Sequence, residues 1–206
     1  MIKGEWFKTY TPETLPEKFE IIFQSWDTAN KATELADYSV CTTWGFKSKN
    51  LFLLHVFRKK LDYPALKQAV RDQAQQWNVK NVIIEDKASG TQLIQELVYE
   101  GMHGVKKYDP EIKEKIMRMH AASSTIENGF VHLPEQAEWL AAYLHELKTF
   151  PLGKNDDQVD STSQALDWIR LRYYGPGMGI YWYYMQKYDE AAARGEVPPR
   201  PDLADF

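Results

Sequence analysis

Five acidic side chains stand where the chain changes character. Asp27 ends the apolar run FEIIFQSWD, Glu85 ends VIIE, and Asp156, Asp157 and Asp160 lie in the string KNDDQVDS. Carboxylates a few ångströms apart repel, and each raises the other's pKa unless a cation neutralises them. An oxygen-rich pocket of that kind suits Mg2+ or Mn2+ and not zinc. Two such ions about 4 Å apart can activate a water and stabilise the leaving oxygen in phosphodiester cleavage. Singly, each acid also reads as local chemistry, because Asp after a strand is common in turns and Asp at a helix start is a common cap. Three acids in the right topological places carry more information than one.

Those acids need elements to hold them. FEIIFQSWD, Tyr38 to Phe46 and the run from Leu51 read as three strands, the last two joined through the turn KSKN. After Pro64, Leu66, Ala69, Val70, Ala74 and Trp77 recur at helical spacing. Val82 to Glu85 is a fourth strand, TQLIQELVYEG a helix stopped by Gly101, and a short strand follows near Val105. The pattern then predicts helices over Pro110 to Ile126, Glu135 to Leu147 and Gln158 to Arg172, with FVHLP as a short extended piece. This order predicts an α/β fold, a mixed sheet with helices on both faces. A parallel pairing of strands one and four sets Asp27 and Glu85 at the same sheet edge.

Composition narrows the function classes. The 25 basic and 29 acidic residues leave a net charge of −4, which excludes a protein that holds polyanions by bulk charge. Any nucleic acid must be met by local patches. No apolar run approaches the roughly 18 residues of a membrane span, and Met1 to Tyr10 lacks a signal-peptide core. A soluble, intracellular protein is expected. The single cysteine, Cys41, excludes an internal disulfide and reads as a buried apolar group, and the five histidines are scattered without a zinc-site spacing.

The strings SWDTA (25 to 29), ADYSV (36 to 40), VIIEDKASG (82 to 90) and KNDDQVDSTSQAL (154 to 166) resemble, in order, the nuclease domain of tailed-phage and prophage large terminase subunits. The resemblance runs from about Phe19 to Arg172. It implies an RNase H-like fold and a metal-dependent endonuclease that cuts concatemeric double-stranded viral DNA in the cytoplasm of a bacterial host. By resemblance Asp27, Glu85 and Asp157 are catalytic and hold two Mg2+ or Mn2+ ions. Helix phase places Asp156 and Asp160 on one face, so Asp160 is expected as a further metal ligand and Asp156 as a cap. Asp37 reads either as a contributor from the second strand or as a turn residue. Lys154 fills the place where the family often has histidine or lysine ahead of the paired acids. Partners implied are the terminase ATPase domain, the small terminase subunit and the portal, with no membrane. The chain has no GxxxxGK[ST], so an isolated or excised nuclease domain or a prophage remnant is expected, with translocation left to another segment.

Around the acids, Lys87, Ser89 and Gly90 form a strand-to-helix loop that can offer a cation and backbone N–H groups to a DNA phosphate, or simply cap the helix. Lys115 and Arg118, in a stretch also holding Lys106, Lys107 and Lys113, are expected as DNA contacts or as a solvated helix face. The chain divides into an irregular lead-in (1–18), the nuclease domain (19–172), and an aromatic helix with a proline-rich tail (173–206). Two other readings stay open: a Holliday-junction resolvase or transposase-like enzyme of the same fold, and a non-catalytic docking module with a vestigial acid cluster.

Overall fold

A computed structural model of the chain describes residues 2–29, 38–87, 89–109, 115–173, 191 and 194–196. Asp37, Lys113, Pro110 and the aromatic tail segment around Tyr181 to Tyr188 lie outside these residues. The chain forms two compact units, Met1–Leu166 and Asp167–Phe206. In the second, the described residues include the end of the last long helix, where Arg170 bonds Asp167 at 2.8 Å and the Arg172 guanidinium lies 5.5 Å from the Trp168 ring centre.

The first unit is built on seven strands: β1 (Lys8–Tyr10), β2 (Ile21–Asp27), β3 (Ser39–Lys47), β4 (Asn50–Lys59), β5 (Asn81–Glu85), β6 (Val105–Tyr108) and β7 (Val131–Pro134). They lie in the order β1-β7-β4-β3-β2-β5-β6. The β2–β3 and β3–β4 pairs are antiparallel, and every other pair is parallel. The sheet is therefore mixed, as the strand and helix order predicts. Ser48 and Lys49 turn the β3–β4 hairpin at φ 49° and 67°, the left-handed conformation that a two-residue loop requires. Lys8–Tyr10, inside the stretch read as irregular, adds an edge strand. Its three residues are too few for periodicity to reveal, and β7 supplies the pairing.

The helices are α1 (Tyr63–Gln76), α2 (Ser89–Tyr99), α3 (Lys115–Glu127), α4 (Leu140–Thr149) and α5 (Asp157–Tyr173). Asp62 caps α1 by accepting from the Ala65 N–H at 2.9 Å. The α4 helix begins later than its apolar pattern suggests, because Glu135 N–H is held by the Tyr10 carbonyl at 3.0 Å and keeps the chain against the sheet edge. On one sheet face Leu66, Val70 and Ala74 of α1 and Leu93 and Leu97 of α2 bury against Trp26, Cys41, Val82, Ile84 and Val105. The free Cys41 thiol is fully enclosed there, and burial pushes its pKa well up. The opposite face receives α5.

Candidate active site

Alternation along a strand decides which face each acid reaches. Asp27 shares a face with Ser25 on β2, and Glu85 shares one with Ile83 on β5. The parallel register pairs Ser25 with Ile83 and Trp26 with Ile84, so Asp27 and Glu85 are the next residues of adjacent strands. Ser25 identifies this as the α5 face, since its hydroxyl donates to the Ser161 carbonyl at 2.7 Å.

Serine at position 161 lets α5 come this close. Its hydroxyl returns a bond to the Ser25 carbonyl at 2.8 Å and pairs with the Thr42 hydroxyl at 2.8 Å, all three residues being fully buried. One turn on, Gln164 Nε2 spans β2 and β5 by donating to the Trp26 and Ile83 carbonyls, each at 3.3 Å. These contacts clamp the helix over the ends of β2 and β5. Asp160 and Asp157, just upstream of the clamp, are carried with it.

The start of α5 is capped from outside. Buried Glu146 of α4 accepts from the Gln158 backbone N–H and from Gln158 Nε2, both at 2.6 Å, and places a negative charge at the positive end of the helix. Asp156, expected as the cap, turns its carboxylate to Lys115 instead.

The acids feel one another. Burial, then Asp160, Glu85 and Asp157, push the Asp27 carboxyl well above the usual range, with Lys115 opposing. Burial raises Asp160 to about 6 against the pull of Lys115 and Arg118. Asp157 is raised by burial and by Glu146, while Arg58 lowers it. Three cations balance this surplus. Lys115 pairs with Asp156 and Asp160; Arg118 lies 3.2 Å from Asp160 and 3.8 Å from Glu85; Arg58 lies 3.7 Å from both Asp157 and Glu146.

Of the residues expected as DNA contacts, Lys87 and Lys154 are exposed. Ser89 is buried: its hydroxyl bonds the Ala29 carbonyl at 2.6 Å and Thr28 at 3.2 Å, tying the end of β2 to the start of α2. Gly90 fits there only without a side chain, since a Cβ would stand 2.0 Å from the Glu85 carbonyl oxygen. Lys115 and Arg118 turn toward the acids. Arg58 and Glu146 did not emerge from the sequence reading. Arg58 pairs across the sheet with Val40, which pairs with Asp27, so all three share a row and a face. A charge at an inward strand position was the available signal. Lys154 and Arg58 also line a cleft of about 150 Å³ with His145, Glu146 and Asn155.

The donor set is all oxygen and carries excess negative charge, which fits a hard divalent cation. Among the described residues no three acids, histidines or cysteines stand close enough to hold one ion as they are. The carboxylates are spread onto Lys115, Arg118 and Arg58. Asp27, Glu85, Asp157 and Asp160 are the side chains that would take the ion.

Residues 24–167 match the family described as the terminase RNaseH-like domain. A search of curated proteins returned no match. Solved structures share the fold at low identity. The large terminase of a thermophilic bacteriophage is 13% identical with a TM-score of 0.61, over 80% of this chain and 44% of that one. The large terminase nuclease of thermophilic phage G20c with bound magnesium is 15% identical with a TM-score of 0.60, over 79% of this chain and 93% of that one. The nuclease domain of the bacteriophage SPP1 large terminase with bound Mn is 13% identical with a TM-score of 0.55, over 82% of this chain and 99% of that one. This chain thus spans less than half the length of the first of these proteins and nearly all of the two nuclease domains. The mixed sheet and its helices are an RNase H-like fold.

Proposed function

The chain belongs to the terminase RNaseH-like domain family, and from that premise we propose that it is a divalent-metal-dependent endonuclease cutting double-stranded DNA during viral genome packaging. One observation carries the reading. Asp27 and Glu85 follow the last paired residues of two adjacent parallel strands, and Asp160 and Asp157 of α5 are near enough to raise the Asp27 pKa. The bound Mg and Mn of the G20c and SPP1 nuclease domains agree with it.

Asp27, Glu85, Asp157 and Asp160 would hold Mg2+ or Mn2+. Such ions, two in this reading, supply a nucleophilic water at neutral pH and neutralise the charge that develops on the phosphate. The residues of the chain do the rest. The Ser161 and Gln164 clamp holds the α5 acids over the strand acids. Glu146 fixes the first turn of α5, and Arg58 keeps Asp157 from swinging away from the sheet row that contains Asp27. Lys87 and Lys154, both exposed, would meet the DNA backbone.

In a packaging motor this domain would act with an ATPase domain, the small terminase subunit and the portal, in the cytoplasm of a bacterial host. No helix among the described residues is long and apolar enough to cross a membrane. With a net charge of −4, the domain alone should bind DNA weakly, without sequence preference and with strong salt sensitivity. The test is supercoiled plasmid with Mn2+, then with chelator added. Nicked and linear products should appear without preferred sites and should vanish with chelator and in Glu85→Ala. Nicking retained in Glu85→Ala would sink the assignment.

A further inference from the structure

The α3 helix brings two cations to a centre whose anions come from β2, β5 and α5. Lys115 and Arg118 are three residues apart and so share a helix face. Lys115 pairs with both Asp156 and Asp160, and its side chain is 31% exposed. Arg118 is 6% exposed, reaches Asp160 at 3.2 Å and Glu85 at 3.8 Å, and its guanidinium lies 5.9 Å from the Tyr108 ring centre. Asp160 therefore has two unit positive charges beside it, the charge of one divalent ion divided between two side chains. A divalent ion must compete with them for the same oxygens.

The two cations differ in what leaving costs. The Arg118 guanidinium is enclosed, and withdrawing it would strand half-buried carboxylates or bury an unpaired charge. The Lys115 ammonium sits on a flexible four-carbon stem at the rim and has water within reach. We propose that Lys115 is a resident counter-ion of the acid cluster, holding the start of α5 before metal arrives, setting the metal concentration at which the centre loads, and giving way to the divalent ion. Arg118 stays and orients Glu85 and Asp160. This inference rests on the centre being a divalent-metal site. It parts company with the expectation that Lys115 serves only to contact DNA, because that role would leave metal affinity in the absence of DNA unchanged.

The experiment is calorimetric titration of the full chain with Mn2+ and no DNA, with melting curves beside it, for wild type, Lys115→Met and Lys115→Arg. Lys115→Met should bind Mn2+ on the order of tenfold more tightly, the scale of one partly screened unit charge at contact distance. It should melt lower without metal and gain more from Mn2+ than wild type does, and Lys115→Arg should restore wild-type behaviour. Equal or weaker Mn2+ affinity in Lys115→Met overturns the proposal. If that variant does not fold, amine acetylation of the wild type, read at Lys115 by peptide mass spectrometry, gives the answer. Labelling should rise on adding Mn2+, and unchanged or reduced labelling overturns the displacement. A folded wild type that neither takes up Mn2+ nor melts higher with it fails at the earlier step, the metal site itself, and this proposal falls with it.

Discussion

Two patches of the sheet, one on each face, are held by different means. Under α1 and α2 lie Trp26, Cys41, Val82, Ile84, Leu93 and Leu97, buried apolar groups held by area and packing density. Where α5 crosses the strands, its Ser161 and Gln164 meet Ser25 and Thr42, equally buried but polar, beside apolar Phe23, Trp44 and Ile83 of the same face. Their mutual bonds are directional, whereas apolar contact tolerates sliding. Apolar burial stabilises the fold on both faces, and the polar patch under α5 sets where Asp157 and Asp160 stand relative to Asp27 and Glu85. Site geometry is thus drawn from directional polar bonds set within a core whose stability comes from apolar burial. Trp26 and Asp27 are neighbours in sequence yet serve opposite faces.

The largest expected effect separates the faces at that point. Asp27→Ala should lower metal-dependent plasmid cleavage to background while leaving the metal-free melting temperature equal or higher, since it removes a carboxyl that burial and three other acids already oppose. A clear loss of metal-free stability would show Asp27 to be a structural residue and blur the comparison. On the other face, Leu93→Ala should cost about 2–5 kcal/mol in denaturant unfolding, as truncations in a closed apolar core do. Its cleavage should stay near wild type at temperatures where it remains folded.

Ser161→Ala tests the clamp itself. It removes the hydroxyl that the buried Ser25 carbonyl and the Thr42 hydroxyl and N–H bond, for about 1–3 kcal/mol, and cleavage should fall further than that stability loss accounts for. An effect on stability alone would mean that α5 finds its place without these bonds.

Acid titration gives a smaller effect of opposite sign to ordinary acid denaturation. Asp160 has its pKa raised to about 6 in the folded chain, so the protonated form favours the fold. Its contribution is full below its unfolded pKa and is lost as pH rises through about 6. Metal-free wild type should therefore lose stability relative to Asp160→Asn between about pH 4 and 7, read as a narrowing or reversal of their melting difference. Mn2+ should recover it at the upper end. The smallest effect lies on the surface of the apolar side. There Lys67 bridges Glu96 and Glu100 at 2.8 and 2.9 Å, and Lys67→Ala should cost below about 1 kcal/mol, with no change in cleavage. A cost matching that of Ser161→Ala would remove the distinction between charges at the surface and polar groups under α5.

Much of this was legible in the chain. Short apolar, β-prone runs marked β2, β3, β4 and β5, and periodicity near 3.6 marked α1, α2 and α5, because those elements are long enough to show their character. The ends of the apolar runs put Asp27 and Glu85 at strand ends, and helix phase grouped Asp156 with Asp160, which do share Lys115. Short elements were harder. Three residues of β1 carry no period, and α4 is delayed by a backbone bond to Tyr10 that no local pattern encodes.

Local sequence specifies the longer elements, the strand ends that carry Asp27 and Glu85 and the chemistry of the donor set, all matters of short-range stereochemistry and residue type. Tertiary structure alone decided which charges meet. It turned Lys115 and Arg118 from an apparent basic surface toward the carboxylates, brought Glu146 to cap a helix in place of Asp156, and aligned Arg58 with Asp27 across three strands. The physical reason is range. Dihedral preference and amphipathic period act within one element, whereas an ion pair depends on the register and docking of elements far apart in the chain, and those are settled only when the whole sheet and its two coverings form together.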